Sequence, residues 1–143
     1  MIAQTLTTSF KVQILKATHD FTASTGDTFK MALYLSTASI GADTTVYTVT
    51  GEISGTGYSA GGIALTTITP ESTSTTAFTS FNNATFTGLV NSSIAGALIY
   101  NSSKSNKSVM VLDFGGMKIS TAAIPLVIVF PTASATTAII RFP

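Results

Sequence analysis

Residues 28–36 read TFKMALYLS. In an extended chain Phe29, Met31, Leu33 and Leu35 fall on one side, and Lys30, Ala32, Tyr34 and Ser36 on the other. A period of two over this length predicts a strand with one face buried. The same period recurs in short runs to either side. Residues 45–53 are rich in Thr and Val and set Tyr47, Val49 and Ile53 on one side. Runs at 63–68 and 76–81 follow, separated by Pro70 and a Ser/Thr-rich stretch, 72–76, that reads as a loop. Asn82-Asn83 suits a turn into a strand at 84–87, because Asn tolerates left-handed backbone angles.

Strands at 94–100 and 108–114 flank NSSKSNK, the loop of a hairpin, and Gly115-Gly116 is expected to end the second strand. A strand at 126–130 lies between Pro125 and Pro131, and one at 138–142 closes the chain. Eight or nine short, evenly spaced strands predict a mainly β protein, a β-sandwich in jelly-roll order. The exception is 8–21, where Phe10, Ile14, Ala17, Thr18 and Phe21 share one helical face and Lys11, Gln13, Lys16 and Asp20 lie mostly away from it. Thr8 or Ser9 is placed to cap this short N-terminal helix. A strand also fits there, since Phe10, Val12 and Ile14 alternate; the helix is favoured. With no linker and no internal repeat, 1–143 reads as a single domain, an N-terminal arm and helix at 1–27 and the sandwich at 28–143.

Only 13 of 143 residues are charged, for a formal net charge of +1, against about a quarter in an ordinary soluble domain. That balance argues against nucleic acid as a partner, which calls for a concentrated basic face. Mean hydropathy is +0.46, yet the longest apolar run, 122–130, is nine residues and contains Pro125. A spanning helix needs about 20, and the alternating runs are too short and too poor in aromatic girdles for barrel strands. A soluble chain with no membrane partner is expected. MIAQTLTTSFK shows no secretory signal pattern. The absence of Cys excludes disulfides and thiolate metal sites. Thr (26) and Ser (17) dominate, which fits either a hydroxyl-rich free surface or one that lies against other proteins, since interfaces deplete charge at their centre.

No catalytic, cofactor or metal site emerges, and no enzyme is expected. His19 beside Asp20 is no triad, because sequence adjacency does not bring three side chains together and none of the 17 Ser stands out. His19 near a helix C-terminus also has a plain role with the helix dipole. The six carboxylates, Asp20, Asp27, Asp43, Glu52, Glu71 and Asp113, show neither ligand spacing nor a glycosidase-like pair. GEISGTGYSAGG, 51–62, departs from a dinucleotide fingerprint after Gly57, and strand-like sequence follows it. It reads as a glycine-rich turn anchored by Tyr58. The four Asn-X-Ser/Thr sequons, at Asn83, Asn91, Asn101 and Asn106, read as incidental in so Ser/Thr-rich a chain. Lys104 and Lys107 are two loop charges, not a nucleic-acid patch.

Five stretches in collinear order carry a resemblance: SFKVQILKATHDF (9–21), GDTFKMALYLSTASIGADTTVY (26–47), GEISGTGYSAGG (51–62), AGALIYNSSKSNKSVMVLDFGG (95–116) and PTASATTAIIRF (131–142). Together they resemble a family of small tailed-phage virion proteins that includes capsid cement or decoration proteins. The resemblance implies a jelly-roll-like protein that oligomerises as a dimer or trimer. Such a protein assembles in the host cytoplasm into the virion, where it binds the major capsid protein on the shell's outer surface and bridges coat subunits. It brings no catalytic residues and no cofactor. The expected contact elements are residues 1–9, the 51–62 loop and the C-terminal strand. An alternative is a tail or head-fibre module that recognises host carbohydrate through Tyr34, Tyr47, Tyr58 and Tyr100.

Overall fold

In chain order the elements are β1 (Thr5–Leu6), α1 (Thr8–Leu15), β2 (Phe29–Leu35), β3 (Ile63–Ala64), β4 (Glu71–Thr73) and β5 (Thr76–Thr79). β6 (Ala84–Phe86), β7 (Asn91–Asn101), a 3-10 turn (Ser102–Lys104), β8 (Lys107–Ser120), β9 (Leu126–Ile128) and β10 (Ile140–Phe142) follow. This computed structural model describes residues 1–143, the side chain of Ser92 excepted. The fold is mainly β, with one short helix and ten strands, all paired antiparallel.

The β7–β8 hairpin is the spine, and β2 pairs along the other edge of β7 from Phe29↔Asn101 to Leu35↔Ile94. β1 and β3 extend the two sides into a five-stranded sheet ordered β1-β8-β7-β2-β3. Smaller sheets, β10-β5-β4 and β6-β9, complete the strand set. One face of the large sheet presents Phe29, Met31, Leu33, Ala97, Ile99 and Val109 to Phe10, Phe21, Phe81, Phe86, Phe130 and Ile140. Rings interlock there: Phe21 stacks on Phe29 at 4.3 Å between centroids, Phe29 meets Phe81 edge-on at 5.9 Å, and Phe81 lies 5.4 Å from Phe130. Offset and edge-to-face contacts of this kind add to the area buried.

The opposite face is buried as well, a departure from the expected half-buried strand. Ala32, Tyr34, Leu98, Tyr100 and Val111 lie under Ile2, Ala38, Ile40 and Tyr47. The cover is the N-terminal segment and the coil after β2. Residues 1–9 are therefore not a free arm: Ala3 N–H donates to Ile40 O at 3.0 Å, β1 pairs with β8 at Met110 and Val111, and Thr7 is buried.

Several boundaries differ from the sequence pattern, each for a local reason. The helix ends at Leu15, not at 21, and its cap is Thr7, whose hydroxyl accepts from Phe10 N–H, in place of Thr8 or Ser9. Ala17 takes a left-handed φ of 53°, while Thr18 and Ala17 N–H return to Gln13 O and Ile14 O, each at 3.0 Å. That is the paired closure of a Schellman motif, so Phe21 reaches the core from a loop. The stretch 45–53 forms no strand. Its backbone pairs with the sheet only at single bridges, Val46↔Lys107 and Tyr34↔Glu52, because Gly51 turns the chain at φ 78° with its Cα hydrogen side packed on Ala38. Residues 71–73, partly assigned to a loop, pair with β5 as a hairpin. Asn82-Asn83 leads into β6, but neither residue takes the left-handed backbone expected of a turn there. Gly115-Gly116 does not end the strand either; β8 slips register against β7 between Ile94 and Gly96 and runs on to Ser120.

Candidate functional site

Three regions hold the chemistry-bearing side chains. The first is the junction around His19, in the loop that follows α1. Its Nε2–H donates to Gln13 Oε1 at 2.7 Å, and its Nδ1 accepts from Asn101 Nδ2 at 2.9 Å. The Asn101 amide also donates to Asp27 Oδ2 at 2.8 Å, while its Oδ1 accepts from Ser103 N–H at 3.0 Å. These two further bonds fix which end of the amide faces His19, and so fix the imidazole tautomer. Phe10 lies 5.1 Å from the ring, with Phe29 and Phe21 just beyond 6 Å. Burial pushes the imidazole pKa down, Asp27 opposes it, and Lys107 and Lys104 add to it.

The neighbouring Asp20 is not His19's partner. Its Oδ1 accepts from Thr22 N–H at 2.9 Å, and the Thr22 hydroxyl, with that backbone bond second, holds this exposed carboxyl below its usual range. Asp27 is pushed up by burial, but hydrogen bonds from Asp20 N–H and Asn101 together with Lys104, 3.5 Å away, leave it lowered. Both His19 nitrogens are thus engaged by amides, with no serine among these bonds, and the Ser-His-Asp arrangement is not assembled. His19 also lines a cleft of about 460 Å³ with Ile14, Ala17, Phe78, Ile140 and Phe142.

The second region gathers all four tyrosines: Tyr34, Tyr47 and Tyr100 lie on the other face of the sheet, while Tyr58 packs against the first face's core beside Phe86. Glu52 is its centre: Tyr47 and Tyr58 hydroxyls each donate to its carboxylate at 2.6 Å, and Gly61 N–H donates at 2.7 Å. The Tyr58 hydroxyl also accepts from Leu33 N–H at 2.9 Å, standing in for a strand at the edge of β2. Ile53 N–H donates to Leu33 O, and Leu35 N–H donates to Gly51 O, extending that edge cover. Tyr100 donates to Gly61 O at 2.8 Å and stacks on Tyr47 with centroids 4.8 Å apart. Tyr34 donates to Thr48 O. Gly62, at φ 69°, brings its backbone so close to Met31 O that a Cβ would sit 1.7 Å away. Burial raises the pKa of every one of these phenols; the Glu52 charge adds to each, through direct hydrogen bonds at Tyr47 and Tyr58. Tyr58 does anchor the glycine-rich loop. The tyrosines do not form an exposed platform: Tyr34 and Tyr100 are 0 % and 2 % exposed, and all four hydroxyls donate within the chain.

The third region is the exterior. β1 covers the outer edge of β8 only at Met110 and Val111. Farther along β8, Met117 and Ile119 stand 63 % and 69 % exposed, one residue to either side of Lys118. Val90, beside Ile119 in a shallow hollow, and Ile124, in the turn after β8, are exposed too. Of the expected contact elements, 1–9 lies on its own sheet, the 51–62 loop exposes Ser54–Gly57 while Glu52 and Tyr58 hold its base, and β10 pairs with β5 and leaves Phe142 exposed. Three sequon asparagines serve the fold. Asn101 sits in the His19 junction, Asn83 Oδ1 accepts from Phe130 N–H, and Asn91 Oδ1 accepts from Ser93 N–H.

Among the described residues no group of three or more His, Asp or Glu is placed to hold a metal, and no helix is long and apolar enough to cross a membrane. Sequence reasoning missed Glu52, Asn101 and Gln13. Glu52 had one signal, a lone carboxylate five residues after Tyr47 and six before Tyr58; Asn101 and Gln13 had none. No protein-family model, curated protein or solved structure matches this chain.

Proposed function

We propose that this is a structural protein that acts by surface contact: a virion cement or decoration protein that binds the outer surface of a capsid and bridges neighbouring coat subunits. The observation that carries the proposal is the far half of β8, where Met117 and Ile119 stand exposed on a strand whose outer edge β1 leaves uncovered. Uncovered apolar strand edges invite pairing with another chain, and an exterior with 13 charged residues in 143 offers little repulsion against it. The collinear resemblance to small tailed-phage virion proteins supplies the class of partner, a major capsid protein, and the jelly-roll order belongs to the same proposal.

A specific contact buries about 800 Å² per partner, a modest share of the 7189 Å² exposed by the folded chain. Dimers or trimers held in a shell multiply such contacts through effective concentration. The carbohydrate-binding alternative has less support, because its four tyrosines turn their hydroxyls inward.

The test uses purified particles stripped of the protein, then reloaded with wild type or with the Met117→Glu/Ile119→Glu double variant. Wild-type particles break at a higher temperature than stripped ones, and the double variant neither sediments with particles nor restores that temperature. Equal breakage temperatures for stripped and reloaded particles overturn the proposal.

A further inference from the structure

The bonds around His19 join three parts of the chain that are distant in sequence. Gln13 belongs to α1, Asn101 ends β7, and Asp27 lies just before β2. Lys104 of the 3-10 turn closes on Asp27. The loop that carries His19 is closed on itself by Asp27 N–H to Asp20 O at 2.8 Å and by Asp20 N–H to Asp27 Oδ2 at 2.9 Å. One imidazole therefore ties the loop 16–27 both to the helix before it and to the hairpin end above it.

We infer that His19 is an acid-released latch, holding the loop 16–27 against the β7–β8 hairpin while neutral and freeing it when protonated. The chemistry lies in donors and acceptors. Neutral His19 accepts at Nδ1, and Asn101 meets it with an N–H. Protonation puts a second donor on that line, so two N–H groups face each other. Asn101 cannot answer by turning its amide, because that would set Oδ1 against the Asp27 carboxylate and Nδ2 against Ser103 N–H. The charged groups facing the ring are Asp27 from the segment before β2, Lys104 from the 3-10 turn and Lys107 at the start of β8. Helix α1 and strand β2 present the uncharged Gln13, Phe10 and Phe29. Partial burial weights the site toward the neutral ring; Asp27 opposes it, and Lys107 and Lys104 add to it. Release would loosen one wall of the cleft, formed by Ala17, His19 and Phe21 beside Phe78 and Ile140. The latch does not depend on what the exterior binds.

The test reads the free full-length protein by nitrogen-15 NMR of the imidazole and by amide hydrogen exchange, corrected for intrinsic rate, from about pH 8 to about pH 5. At neutral pH the spectrum shows the Nε2–H tautomer. As the ring titrates, protection of the Asp20, Gly26, Asp27 and Ser103 amides falls about tenfold relative to Leu98 and Ile99 in the central ladder. His19→Gln, which keeps a donor and an acceptor but carries no titrating group, loses that pH dependence. Two results overturn the inference: a proton on Nδ1 at neutral pH, or protection of 16–27 that keeps its ratio to the central ladder throughout the His19 titration. Both are read on the wild-type chain, whatever the fate of the variant.

Discussion

Strand β2 feeds two faces that are built on different principles. Its odd-numbered residues, Phe29, Met31 and Leu33, enter a layer of rings and aliphatic chains held by area and shape. Its even-numbered residues, Ala32 and Tyr34, enter a layer where phenols and a single carboxylate are placed by hydrogen bonds. The apolar layer tolerates substitutes of similar volume, because burial is non-directional. The polar layer is satisfied only by particular atoms in particular positions: among the described residues every buried side-chain nitrogen and oxygen has a partner. One protein thus uses packing on one side of a sheet and donor–acceptor matching on the other.

The largest expected effect comes from the packing side. Phe29 is 0 % exposed and touches the rings of Phe21 and Phe81. Phe29→Ala should cost about 3–5 kcal/mol, whereas Phe29→Leu should cost less than half as much, since much of the volume remains. Urea unfolding measures both, and equal losses would break the claim that volume governs this face.

In the hydrogen-bonded network around Glu52, volume should hardly matter. Tyr58→Phe keeps the ring but leaves Leu33 N–H and one Glu52 oxygen without their partner, at a cost of about 1–3 kcal/mol. Glu52→Ala, which strips the acceptor from two phenols and Gly61 N–H, should cost about 2 kcal/mol. A Tyr58→Phe protein as stable as wild type would show that water replaces the hydroxyl freely and that the contrast between the faces is only one of composition.

The contrast also governs what the sequence reveals. Phe29, Met31 and Leu33 announce their face by a period of two, because burial of apolar area repeats with the pleat. The hairpin of β7 and β8 is legible for the same reason. The tyrosine layer is not, since the bonds to Glu52 come from residues five, six and nine positions away in coil, where no repeat exists to read. The 45–53 stretch looks like a strand because Thr and Val favour one, yet Gly51 and the Tyr47–Glu52 pairing turn it into cover for β2. His19 drew notice through Asp20, the wrong carboxyl; its link runs to Asp27 through Asn101, 82 residues along the chain from the imidazole.

The faces should also fail at opposite ends of the pH scale. His19 titrates lower in the folded chain than in the unfolded one, so between its folded value and 6.5 the unfolded chain binds more protons. Stability is therefore lost as pH falls below 6.5, and Asp27, also lowered, adds a second loss below its ordinary range near 3.8. Tyr34, Tyr47, Tyr58 and Tyr100 are raised, so their contribution is complete below pH 10 and is lost as pH climbs past it. Tyrosinate absorbance should rise in a single cooperative step with unfolding, above pH 10. A gradual rise with ordinary phenol pKa values and the fold intact would remove the matched layer from the argument.

The smallest effect lies where neither principle is satisfied, at the end of α1. Ala17 occupies the left-handed closing position of the helix, at φ 53°, where its Cβ crowds the backbone. Left-handed backbone costs an L-residue about 1–2 kcal/mol, while glycine there gives back about 0.4–1 kcal/mol through the freedom of the unfolded chain. Ala17→Gly should therefore stabilise the protein by about 0.5–1 kcal/mol, read as a higher urea midpoint with an unchanged slope. His19 follows Ala17 by two residues, so this variant also bears on the loop that carries the imidazole. If the gain at neutral pH persists undiminished at pH 5, the closing turn is independent of the His19 bonds; if it shrinks on acidification, the turn and the imidazole hold the loop as one unit.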